Sequence, residues 1–222
     1  MHATRTAIPT LPASVDTLLL DLDGTLLDLA FDNHFWMQVV PATYGRKHGL
    51  SVQQALDTIR PLMASVEHTL PWYCLDHWAR TLDLDLKSLK LTHAGRIGWL
   101  PGAREFLVRQ RTAGRRLILA TNSHPETLRI KDAQTGVTGY LDAAYSSHVF
   151  GAPKEDARFW AAFRQEVQFD PARTAFIDDS IVVLRAGQAA GIHHLIAVGR
   201  PDTSQPPRPL SEFPTVAAVA EL

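Results

Sequence analysis

Four short apolar runs, at 17–20, 117–120, 174–177 and 194–198, are rich in Leu, Ile, Val or Phe and end in polar or glycine-containing residues. That is the pattern of strands buried on both faces of a parallel sheet. Helical periodicity fills the gaps between the later runs. Pro101 opens a segment that Gly114 closes, Pro125 opens another with Gly136 as its stop, and Gly191 follows a helix that begins after Asp179. A weaker run at 143–147 brings the sheet to about five strands. Strand and helix alternate, so the expected fold is α/β: a Rossmann-like, doubly wound parallel sheet with right-handed crossovers.

The rhythm fails between 27 and 100, where helix starts recur without a strand. Asp32 or Asn33 precedes a helix at 34–40, Ser51 and Gln54 form a capping box, Thr69 precedes Pro71 and an aromatic stretch, and Asp85 starts another helix. Pro41 falls inside the first of these patterns and marks a helix break. The insertion is therefore read as a helical cap over residues 28–100, with residues 1–27 and 101–222 forming the sheet domain. A loop at 199–209, carrying four prolines, leads to a last short helix.

Composition removes several function classes. Lys and Arg total 22 against 23 Asp and Glu, a formal net charge of -1, so no global basic field favours nucleic acid or anionic membrane. Cys74 stands alone, which excludes an intramolecular disulfide, suits a reducing cytoplasm and cannot by itself build a zinc site. The first sixteen residues lack a signal-peptide core and read as a loose lead-in. No apolar run approaches the roughly 20 residues of a membrane-spanning helix, so a soluble protein without a membrane partner is expected.

The chemistry concentrates at the ends of the strands, where open α/β sheets bind ligands. The run DLDGT puts Asp21 and Asp23 just beyond the first strand. An isolated pair of this kind is as readily a solvated Asp-Gly turn, but it has company. Thr121 and Asn122 follow the second strand and lead into a helix amino terminus, a natural phosphate cradle. Lys154 lies at the start of a further helix, where a cation opposes the helix dipole. Asp178 and Asp179 end another strand, and three neighbouring carboxylates repel unless a cation joins them. Magnesium suits such an oxygen-rich set. The ten histidines offer no HExxH or similar zinc pair, and His193 and His194 read as structural neighbours on one strand.

In that order, Asp21 with Asp23, Thr121, Lys154, and Asp178 with Asp179 resemble the four motifs of the haloacid dehalogenase superfamily across essentially the whole chain. The resemblance implies a magnesium-dependent phosphomonoester hydrolase. Asp21 becomes the nucleophile that carries the phosphoryl group and a metal ligand. Asp23 becomes the general acid and base and offers its backbone carbonyl to the metal. Thr121 and the Asn122 amide bind phosphate, and Lys154 offsets the charge of Asp21 and the phosphoryl group. Asp179 is the metal ligand, with Asp178 acting on metal-bound water or orienting Lys154, two roles that can be exchanged. Ile181 stands where many relatives carry a polar residue.

Asp23 separates chemistries within that superfamily, because carbon–halogen cleavage needs no acid two residues beyond the nucleophile. Phosphomutases and sugar-phosphate phosphatases keep this acid and remain alternatives. A signalling receiver domain carries its acidic pair on its first strand, the reverse of the order here, and a non-catalytic phospho-ligand binder does not need the full motif set.

Specificity is expected from the cap. Asp32, Asn33 and Trp36, with Tyr73 and Asp76, place aromatic faces and polar groups where a purine could be read, although from the residues alone the core of a small helical bundle is the better account of the aromatics. The words LDLAFDNHFW, PWYCLDHW and FGAPKED resemble the GMP/IMP nucleotidase branch. This implies a purine nucleoside 5'-monophosphate as the small phosphorylated partner.

Overall fold

The computed structural model describes residues 9–209 and 211–222, so much of the expected lead-in, residues 1–8, lies outside it. The chain enters a six-stranded parallel sheet at β1 (Thr17–Leu20) and leaves it at once for the helical insertion. The insertion comprises α1 (Ala30–His34), a π-helical turn (Phe35–Val39), α2 (Val40–His48), α3 (Val52–Ala64), α4 (Leu70–Tyr73), α5 (Leu75–Leu82) and α6 (Leu86–His93). The chain then returns through α7 (Ala103–Thr112), β2 (Arg116–Thr121), α8 (Pro125–Thr135), β3 (Ala143–Ser146), α9 (Ala157–Val167), β4 (Thr174–Asp178), α10 (Ile181–Ala189), β5 (His194–Val198) and β6 (Thr215–Val216). The strand order is β3-β2-β1-β4-β5-β6.

Side chains alternate across the central strands as the pleat requires. Leu18, Leu20, Leu117, Leu119, Ala175 and Ile177 pack into one core layer, whereas Leu19, Ile118, Ala120 and Phe176 pack into the other with Phe159, Trp160 and Phe163 of α9. Both faces are covered, which is why these strands read as continuous apolar runs. The insertion has a third, separate cluster around Phe35, Val40, Ile59, Trp78 and Leu86. Its two crossings to the sheet pair with each other: Asp28 N–H donates to Gly98 O at 2.9 Å, and Leu100 N–H donates to Leu26 O at 2.9 Å. An isolated antiparallel bridge joins Leu27 to Trp99 at this neck.

Several boundaries differ from expectation. Strand β6 adds a sixth strand, too short at two residues to show a period. The first cap helix starts at Ala30, held by Asp28 Oδ1 accepting from its N–H, so Asp32 and Asn33 lie inside the helix. Pro41 does not end it: the π-helical turn at Phe35–Val39 runs directly into α2, and Pro41 sits at that junction. The helix after Lys154 begins only at Ala157, capped by Asp156. Lys154 therefore stands in a loop and does not oppose that dipole. His193 precedes β5, which contains only His194 of the pair. Ser51 and Gln54 do form the reciprocal capping box. Among the described residues, no helix is long and apolar enough to cross a membrane.

Candidate active site

Parallel register brings the acidic motifs together. Leu20 is level with Ile177, so Asp21 and Asp178 leave adjacent strands side by side, and Thr121 emerges from β2 on the other flank. Gly24 makes the turn possible. Its φ is +88°, and a Cβ there would lie 2.8 Å from both Asp179 Cγ and Pro201 Cβ, so a side chain is excluded twice.

Lys154 is buried between two carboxylates: Nζ donates to Asp21 Oδ1 and, at 2.7 Å, to Asp178 Oδ2. Asp178 Oδ1 accepts the Ser180 N–H at 2.8 Å, so both oxygens of that carboxylate are engaged. The Lys154 loop is itself held by Asn122, whose Oδ1 accepts from Lys154 N at 2.9 Å and whose Nδ2 donates to Glu155 at 2.9 Å. Thr121 Oγ1 accepts the Ser123 N–H at 3.0 Å, leaving its own proton to donate. Asp179 Oδ2 meets Arg208 at 3.0 Å.

Asp21, Asp178 and Asp179 each offer an oxygen within 4.8 Å of the others. Burial drives all three carboxyls upward, Asp21 and Asp179 to about 7 and Asp178 to about 6, against the downward pull of Lys154. Lys154 is held above the usual lysine range because Asp178 and Asp21 outweigh its burial. Lys154 and Arg208 together still leave the three carboxylates one positive charge short. An all-oxygen, negatively charged set of this kind fits a hard divalent cation, whose ligand oxygens stand about 3–4 Å apart, and neither sulfur nor imidazole intrudes.

Asp23 points elsewhere. Its Oδ1 accepts from Lys131 Nζ at 2.6 Å; the same Nζ reaches Asp32 Oδ2 at 2.5 Å, and Lys90 donates to Asp32 Oδ1 at 3.1 Å. Burial and the Asp32 carboxylate raise the Asp23 carboxyl despite Lys131. Burial also works against Asp32, but Lys131 and Lys90 outweigh it and hold its carboxyl at about 2.

A cavity of about 540 Å³ lies between the strand ends and the insertion, lined by Asp21, Asp23, Thr121, Asn122, Lys154, Asp178 and Asp179 from below. Asp32, Asn33, Trp36 and Tyr73 line it from the insertion, but Asp76 does not. Two of those polar groups are already engaged, Asp32 by its lysines and Asn33 by Asp202 at 2.6 Å. The Tyr73 hydroxyl donates to Glu155 across to the sheet side. Lys131, Lys90 and Arg208 were not anticipated. Lys131 follows Thr127 and Ile130 on the buried stripe of α8, and Lys90 follows Leu86 on that of α6, so a lysine in an apolar stripe was the available signal. Arg208 comes from the proline-rich loop, where no pattern marks it.

GMP/IMP nucleotidase YrfG of Escherichia coli (strain K12) is 43% identical over 189 residues, 85% of each chain, and the Shigella flexneri protein of the same name matches equally. An HAD phosphatase from Thermococcus onnurineus superposes with a TM-score of 0.76 at 18% identity, covering 93% of this chain and 95% of that one. The L-2-haloacid dehalogenase of Xanthobacter autotrophicus gives 0.62 at 17% identity, covering 93% and 96%. Both structural likenesses speak for the fold. The haloacid dehalogenase-like hydrolase profile matches residues 15–191, and the chain belongs to this family of hydrolases.

Proposed function

We propose that the protein hydrolyses purine nucleoside 5'-monophosphates of the GMP and IMP type through an aspartyl-phosphate on Asp21, with magnesium as cofactor. The observation that carries the chemistry is the buried Lys154 joining Asp21 to Asp178, with Asp23 on the same turn and at the same cavity. The substrate class rests on the 43% identity to proteins named GMP/IMP nucleotidase.

Asp21, Asp179 and the Asp23 backbone carbonyl would hold the cation. Asp179 is preferred to Asp178 because both Asp178 oxygens are already engaged, by Lys154 and by Ser180 N–H. When bound, the cation withdraws charge from the phosphoryl oxygens and aligns them with the nucleophile. Lys154 steers Asp21 and balances the incoming dianion, while Thr121 Oγ donates to a phosphoryl oxygen. Asp21 attacks phosphorus as the ester oxygen leaves, and Asp23 supplies the proton that oxygen needs. Asp23, now ionised, then takes a proton from the water that cleaves the acyl phosphate. The raised Asp23 carboxyl suits the first half-reaction.

Residues 28–100 act as the cap in this reading. Trp36, Met37, Met63 and Trp72 give the cavity an apolar, flat-sided wall that suits a base, and the paired neck at Leu27 and Trp99 is where the cap joins the sheet domain. Phosphate release from GMP, IMP, AMP, a pyrimidine monophosphate and several sugar phosphates, each with magnesium and with chelator, tests the proposal. Magnesium-dependent preference for GMP and IMP is expected. Preference for a sugar phosphate would keep the chemistry and overturn the substrate, and chelator-insensitive turnover would overturn the cofactor.

A further inference from the structure

Cys74, His124 and His148, far apart in sequence, each present a ligand atom within 4.8 Å of the other two. Cys74 begins α5 in the helical insertion, whereas His124 caps α8 and His148 follows β3 on the sheet side. The three atoms therefore straddle the boundary between insertion and sheet, with His124 also lining the cavity.

A second observation concerns His148 alone. Its Nε2 is shut off from solvent and has no hydrogen-bond partner. The rest of the ring is oriented. Ser146 Oγ gives its only proton to Ser123 O at 2.7 Å, so at 3.3 Å from His148 Nδ1 it can only accept from the ring. The proton is thereby fixed on Nδ1 and the lone pair on Nε2, the arrangement that a hydroxyl or carbonyl imposes on metal-binding histidines. A buried imidazole lone pair without a donor is a group awaiting a Lewis acid.

We propose that Cys74 Sγ, His124 Nε2 and His148 Nε2 form a second cation site, selective for a thiophilic divalent ion of the zinc type, which clips the helical insertion to the sheet beside the cavity. Tetrahedral zinc with sulfur and imidazole ligands places them about 3–4 Å apart, so a small convergence closes the site. Asp76 Oδ2, 3.7 Å from His124 Nε2, stands beside the same point and can complete four ligands. This gives Asp76 a role outside the cavity it does not line.

Burial keeps both imidazoles uncharged at neutral pH, holding His148 down at about 4 and lowering His124 as well. His124 must move its ring proton from Nε2 to Nδ1. That gives up only the 3.3 Å bond from Glu126 N–H, a first-turn donor that water can satisfy. Cys74 Sγ accepts the His77 N–H at 3.4 Å, a contact that strengthens when sulfur carries charge. The three carboxylates at the strand ends are a hard oxygen set and do not compete for such an ion on equal terms.

The test is cobalt titration of the chelator-stripped full chain with magnesium in excess, read by absorption. One equivalent of Co²⁺ should give a thiolate-to-cobalt charge-transfer band with tetrahedral ligand-field bands, and zinc should displace it. Cys74→Ser should abolish the band, and Cys74→Ser and His148→Ala should each weaken binding by more than about a hundredfold, beyond the loss that removing an outer-shell partner causes. Circular dichroism checks that both variants are folded; if His148→Ala is not, Cys74→Ser, which changes only the sulfur, decides alone. Cobalt bound without a sulfur band, binding abolished by magnesium, or unchanged affinity in Cys74→Ser would each overturn the site. None of these readouts depends on which ester the protein hydrolyses.

Discussion

Lys131 Nζ lies 2.6 Å from Asp23 Oδ1, so the carboxyl two residues beyond Asp21 is paired with a cation from α8. Because the same lysine also holds Asp32 of α1, removing it strands Asp23 and leaves Asp32 with Lys90 alone. Lys131→Met should destabilise the protein by about 3–5 kcal/mol, the range for a buried pair that loses one partner, as read from urea unfolding. Lys131 pulls the Asp23 carboxyl down, so its loss raises that carboxyl further. The alkaline limb of the kcat/KM profile, where the required acid is lost, should then move to higher pH. A limb that stays put would separate Lys131 from the chemistry.

Asp21→Asn should abolish turnover yet leave the metal-free protein no less stable, since it removes a charge from a crowded set while Lys154 keeps Asp178. Asp23→Asn should cost about 10²–10⁴ in rate, the usual worth of a positioned acid–base group. Purified variants assayed beside circular dichroism check both. Near-native turnover in either would remove that residue from the mechanism.

The sheet and the charged ends of its strands were legible because a buried parallel strand is a run of apolar residues and its terminus is where polar residues resume. Asp21, Thr121, Asp178 and Asp179 stand there for that reason. The lysines were not legible in the same way. Lys131 and Lys90 are nearly as buried as the leucines beside them, and only tertiary pairing with Asp23 and Asp32 makes their burial tolerable. Arg208 reaches Asp179 from a loop whose path sequence does not encode locally. Asp32 and Asn33, expected to cap a helix, sit inside α1 and line the cavity while bonded to Lys131, Lys90 and Asp202.

Gly24→Ala offers a test of the turn that brings the two acidic motifs together. The backbone conformation is left-handed and the added Cβ meets Asp179 Cγ. Loss of stability above about 1 kcal/mol is expected. Because the clash falls on the carboxylate preferred as the metal ligand, magnesium affinity by isothermal titration should drop as well. Asp179→Ala should lower it further, and unchanged affinity there would transfer the ligand role to Asp178.

The three raised carboxyls also set a pH dependence. Folding lifts Asp21 and Asp179 to about 7 and Asp178 to about 6, well above the unfolded value of about 3.9. Between those limits the metal-free folded state binds more protons than the unfolded one, so its stability is greatest at the acidic end and is lost as pH rises through the folded values. Asp32 contributes in the opposite sense: held at about 2, its stabilisation is complete above the unfolded value and fades only as pH falls below it, outside this window. Magnesium competes with the protons on the raised carboxyls, so its stabilising effect should grow with pH. Thermal melts in chelator and in magnesium, at about pH 5 and about pH 8, should show a larger magnesium-induced rise in Tm at the higher value. An equal rise at both would mean that magnesium binds without displacing protons from these groups, and that Asp21 and Asp179 are not its ligands.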